Sequence, residues 1–121
     1  MTLIEEIVAG GAGAGKNTRF PHAPEGWTEA LAVESARRED LELDDERWET
    51  LRALQEYYAR HEATAVNLRE LHDALDEKFH RQGGIRHLYR LFPGGPVAQG
   101  CRIAGLQAPA GATDKGFGSV A

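Results

Sequence analysis

Apolar residues recur at helical spacing through the middle of this chain. Trp48, Leu51, Leu54 and Tyr58 fall on one face, with the polar Gln55 set among them. Leu68, Leu71, Leu75 and Phe79 make a second such face. Each run opens on a side chain that can accept a bond from first-turn amides. Asp44 precedes the first, and Thr64 or Asn67 precedes the second. Asp45 and Glu46 add acids where the helix dipole favours them. The first helix is predicted to end near His61 and the second at Gly83 and Gly84. Upstream, Thr28 can cap a shorter helix over 29–38 with a weakly apolar face of Leu31, Ala32 and Ser35. Leu41-Glu42-Leu43 connects it to the next helix. Downstream, Ile85, Leu88 and Leu91 carry a short helix.

The stretch His87–Leu106 supplies the punctuation. Pro93 lacks an amide hydrogen and restricts Phe92, so the helix should stop there. Gly94 and Gly95 free the backbone for a turn. Pro96 suits the first turn of a new helix, and Gly105 a left-handed cap at its end. Between them Val97, Cys101 and Ala104 share a face. Before Trp27 the pattern is poor: Leu3, Ile4, Ile7 and Val8, then a glycine-rich run, then Phe20 and Pro21. After Leu106 the chain is rich in Gly, Ala and Pro. The predicted fold is mainly α: a compact bundle of about five helices. Trp48–Phe79 would form a helix-turn-helix-like pair joined by a tight turn and packed face to face. A small N-terminal β-hairpin and a flexible C-terminal arm complete it. The boundaries are 1–26, 27–106 and 107–121.

Composition narrows the function. The chain has 121 residues, enough for one domain, and a net charge of −5. That balance disfavours general affinity for nucleic acid or anionic membranes. A single cysteine excludes an intramolecular disulfide and fits a reducing cytoplasm. No apolar run approaches the ~20 residues of a membrane span. The first residues lack the basic start of a signal peptide.

Few residues suggest chemistry. Gly10, Gly15 and Lys16 match G-x-x-x-x-G-K, but Asn17 stands where Ser or Thr should follow, and Pro21 interrupts the helix the motif needs. A flexible glycine linker is the better reading, so no cofactor is expected. His72 and His80 lie two turns apart, and no His/Cys/Asp/Glu set has metal-ligand spacing. The acids of 39–49 read as a solvated helix start. Lys78, Arg81, Arg86, His87, Arg90 and Arg102 concentrate positive charge in the second half, whereas all acids but Asp114 precede residue 78. They read either as a balanced charged surface or as a docking face for an acidic partner or nucleic acid. Cys101 reads as an inert core thiol or, beside Arg102 on a short helix, as a reactive one.

The residues also carry a resemblance. Leu41-Glu42-Leu43 with Glu46 and Trp48, the pair Tyr57-Tyr58, Leu88-Tyr89, Leu91-Phe92-Pro93, Gly95-Pro96 and Ala98-Gln99 form its core. Cys101, Ile103-Ala104-Gly105-Leu106, Pro109 and Gly111 complete it. Over about Trp27 to Gly111 the chain resembles the DsrC/TusE family of sulfur-relay proteins. The resemblance implies a helical body, a small N-terminal hairpin and a C-terminal arm. It also implies sulfur carriage in tRNA thiolation or in dissimilatory sulfur metabolism with sulfite reductase, through protein partners. In that family the essential arm cysteine follows the glycine matching Gly111; here the position is Ala112. Cys101 matches the inner cysteine of two-cysteine members. Three readings follow. The first is a divergent partner or regulator that docks on sulfur-transfer proteins, at most a component of a sulfurtransferase complex and not a stand-alone enzyme. The second is a carrier using Cys101 as sulfur acceptor. The third is a helix-turn-helix DNA-binding regulator.

Overall fold

A computed structural model describes residues 18–112. The glycine run with its G-x-x-x-x-G-K match, most of the segment assigned to the hairpin, and the arm beyond Ala112 lie outside the described residues. Five α-helices follow in order: α1 (Glu29–Arg38), α2 (Asp45–Arg60), α3 (Leu68–Lys78), α4 (Gly84–Leu91) and α5 (Ala98–Ala104). Among the described residues there is no strand. The mainly helical expectation holds.

Local chemistry sets the ends. Thr28 Oγ1 accepts from Leu31 N at 3.1 Å, Asp44 Oδ1 from Arg47 N at 3.0 Å, and Asn67 Oδ1 from Glu70 N at 3.0 Å. Each satisfies a first-turn amide that has no partner within its helix. The opener of α3 is thus Asn67, not Thr64. α3 stops at Lys78, earlier than the glycines suggested, and a 3-10 turn over His80–Gln82 covers the interval. Gly84 sits at φ +70°, and a Cβ there would collide with the Asp76 carboxylate. That carboxylate accepts from Ile85 N at 2.8 Å, which fixes the α3–α4 corner.

Packing departs from expectation in two places. The faces of α2 and α3 do not form the principal helix pair: α2 lies mainly on α5, and α3 mainly on α4. The reason is the slimness of α5. A Cβ at Gly100 would come within 2.8 Å of Leu54 Cδ1, so only glycine lets α5 press so closely on α2. The α2–α3 connection runs through 61–67 with its own 3-10 turn at Ala63–Ala65, so it is not a tight turn. The second departure is α1. Ala32 and Ala36 are its buried pair, while Leu31 is 51% exposed. Two small residues one turn apart let α1 approach α5, which turns Leu31 outward. The core that results joins Leu51, Leu54, Leu71, Leu75, Leu88 and Phe92.

The start of the described chain is better anchored than its sequence suggested. Phe20 is 1% exposed. Its ring meets Trp27 edge-on at 5.0 Å and Trp48 at 5.5 Å, with the Arg52 guanidinium 5.0 Å above it.

Candidate functional site

The turn before α5 forms as its residues demand. Gly95 adopts φ +106° and donates to Phe92 O at 2.8 Å. Gln99 N then donates to Gly95 O at 2.9 Å, closing a helical turn around Pro96 in which no proline amide is needed. Regular helix begins at Ala98. Cys101 follows on the buried side and is 0% exposed. Its thiol donates a long 3.9 Å contact to the Tyr58 hydroxyl. Burial pushes the thiol up to about 11, and the Tyr58 bond offsets this only in part. Burial raises Tyr58 as well, with Cys101 adding to the effect.

The end of α5 is closed by side chains from distant parts of the chain. Gly105 turns left-handed at φ 79°, and Leu106 N returns to Cys101 O at 2.8 Å. The Trp27 indole donates to Ile103 O at 2.9 Å. Gln55 Nε2 donates to Ala104 O at 2.9 Å. The Tyr58 hydroxyl donates to Gln107 O at 2.7 Å. The last carbonyls of α5, at Ile103 and Ala104, are thus satisfied, the first in a partly buried and the second in a buried setting, while the Gln107 bond lies at the surface. Gln55 Oε1 is buried there without a hydrogen-bond partner among the described residues.

The described part of the arm lies back on this body. Pro109 is buried, and Ala108 and Ala112 pack against the core. Ala112 lines a cleft of about 200 Å³ with Leu68, His72, Tyr89 and Val97. A methyl group therefore stands where the resemblance places the arm thiol.

The basic residues separate. Lys78, Arg81, Arg86 and Arg90 are exposed around the α3–α4 corner. None forms an ion pair among the described residues. His87 Nε2 contacts Glu46 Oε2 at 3.0 Å. Arg102 belongs elsewhere: its guanidinium bonds Glu39 at 2.7 and 3.0 Å, across the α1–α5 contact. Arg102 holds the Glu39 carboxyl below its usual range. Burial opposes that shift and a bond from Gln99 assists it. Gln99 also accepts from Gly94 N at 2.9 Å, tying the turn to α1. Sequence reasoning missed Gln99, Glu39 and Trp27 in these roles. The one available signal was Gln55, a polar residue inside an apolar stripe.

Among the described residues no group of three or more His, Cys, Asp or Glu is placed to hold a metal ion. No described helix is long and apolar enough to cross a membrane.

These features define a small helical protein with a buried thiol and, over residues 107–112, a C-terminal segment folded onto its body. The chain belongs to the DsrC-like family: a family model described as "DsrC like protein" matches residues 9–112. It is similar to sulfurtransferase TusE of Salmonella typhimurium, 45% identical over 84 residues that cover 69% of this chain and 76% of the relative. Sulfurtransferase TusE of Escherichia coli K12 is 42% identical over the same shares. That of Photorhabdus laumondii is 39% identical, over 69% of this chain and 75% of the relative. No solved structure matches the chain.

Proposed function

We propose that this chain is a sulfur-relay protein that docks on sulfur-transfer partners and does not itself carry sulfur on an arm cysteine. The sulfurtransferase relatives support the relay. One observation carries the rest: the only cysteine is fully buried beneath Tyr58 with its thiol shifted up to about 11, while Ala112 occupies the arm position. A thiol that is both covered and protonated is a poor acceptor of sulfur, since the thiolate is the nucleophile. Of the branches the resemblance implies, the TusE relatives favour tRNA thiolation over sulfite reduction, and the setting is the cytoplasm.

The test is a mass measurement after incubation with inorganic polysulfide. The native chain is expected to stay unmodified, and the urea-unfolded chain to gain about 32 Da, roughly one sulfur. Rapid uptake on Cys101 of the native chain would establish the carrier reading instead. Docking is read separately, as binding to a persulfide-loaded relay protein that keeps its sulfur.

A further inference from the structure

Arg86 and Arg90 lie one turn apart on the outer face of α4, where Cβ atoms are about 6 Å apart. The two residues are exposed and, among the described residues, enter no ion pair. From Lys78 to Arg90 the chain contains no acid. Leu88 and Leu91 hold α4 on the core, and the Asp76 bond to Ile85 N fixes its start. The guanidiniums therefore project from a rigid support, which lowers the ordering cost of binding.

The two shoulders of α4 differ. On one, His87 contacts Glu46 of α2 at 3.0 Å. On the other, Tyr89 borders the cleft of about 200 Å³ that Leu68, His72, Val97 and Ala112 also line. A cleft of this size is below the ~300–1,000 Å³ of small-molecule sites, so it suits one side chain and not a cofactor. Its walls are mixed: Leu68, Val97, Ala98 and Ala112 offer aliphatic surface to one apolar side chain, while His72 and Tyr89 add polar edges.

We propose that the outer face of α4 and this cleft together dock a segment of a partner protein, with carboxylates on Arg86 and Arg90 and an adjacent apolar side chain in the cleft. The inference rests on the reading of the chain as a docking partner. Guanidinium groups match carboxylates with paired, directional bonds. Lys78 and Arg81 lie at the neighbouring corner, where Asp76 and Glu77 offset their charge, so the unopposed cations are Arg86 and Arg90. Glu46 on the opposite shoulder limits the length of an anionic ligand. An evenly charged phosphate backbone would be carried against it, whereas a short acidic segment ends before it. That asymmetry favours a protein segment over nucleic acid.

The experiment uses the full chain and a fluorescein-labelled, glutamate-rich peptide with one central leucine, read by anisotropy across a salt series. Binding is expected to weaken with salt and to fall at least about tenfold in the double variant Arg86→Glu/Arg90→Glu. Arg38→Glu, on the far helix α1, serves as the charge control and should bind more nearly as the parent does. Replacing the peptide leucine by glycine should weaken binding to the parent chain. Ala112→Leu, which fills the cleft, should abolish that leucine advantage. Unchanged thermal unfolding of the double variant separates lost contact from lost fold. The proposal is overturned if the peptide does not bind, if either α4 or cleft variants leave binding unaltered, or if duplex DNA binds more tightly at equal salt. The polysulfide measurement reads Cys101 alone, so each idea can fail while the other stands.

Discussion

The closed end of α5 and the outer face of α4 treat polar groups in opposite ways. At α5 the carbonyls of Ile103, Ala104 and Gln107 each receive one side-chain donor, from Trp27, Gln55 and Tyr58. Those donors lie roughly fifty to eighty residues away along the chain, and the bonds close a region that contains the thiol. On α4 the charged groups of Arg86 and Arg90 are left to solvent. A buried polar group left unpaired costs about 1–3 kcal/mol, and among the described residues Gln55 Oε1 is the one buried side-chain atom left so. Exposed cations bear no such cost and remain available to a partner. The difference teaches where to look for function here: the region with the only cysteine is closed by bonds within the chain, and the outer face of α4 is left open to contact.

The largest expected effect lies in the closed region. Leu54 is 0% exposed and touches α5 at Gly100, so Leu54→Ala should lose about 2–5 kcal/mol in urea unfolding. A loss near zero would show that α2 does not support α5 as described. Trp27→Phe comes next. It keeps most of the ring but strands Ile103 O, at a cost of about 1–3 kcal/mol. The same variant should speed modification of Cys101 by a thiol reagent, because the end of α5 is loosened. An unchanged reagent rate would separate the indole bond from the shielding of the thiol.

A smaller effect follows from Glu39. Its folded carboxyl titrates below the usual value of 4.5, so the unfolded chain takes up the proton first as pH falls. The Glu39–Arg102 pair therefore contributes its full stability above that usual value and loses it as pH falls through the folded value. Comparing unfolding midpoints from about pH 6 to about pH 3, Glu39→Gln should flatten part of the acid-side decline. An identical slope in parent and variant would mean that the pair is not formed in solution. The smallest effect belongs to the open region. Arg86→Ala should alter stability by no more than about 0.5 kcal/mol, since it removes no described bond. A larger loss would move Arg86 from the contact surface into the framework.

Much of the body was legible beforehand because it depends on neighbours in sequence. Thr28, Asp44 and Asn67 cap the helices they precede, and Gly105 ends α5 left-handed. These are bonds across three or four residues, and residue type nearly decides them. The stripe Leu68, Leu71, Leu75 and Phe79 announced α3 for the same reason. Phe20 was not legible: one aromatic residue between glycines and a proline shows no period, and only Trp27 and Trp48 explain its burial. Leu31 misled, since a large apolar residue outranks Ala32 and Ala36 in a pattern but not in a close helix contact.

The sequence by itself determined the helices, their caps, the alanine at position 112 and the scarcity of acids from residue 78 onward. Each is either a local bond or a plain matter of which residue stands where. Tertiary structure alone decided that α2 faces α5, that Arg102 leaves the other bases for Glu39, and that Cys101 lies sealed beneath Tyr58. Those outcomes depend on how closely surfaces approach, and a missing Cβ at Gly100 directs that approach without leaving any periodic trace in the chain.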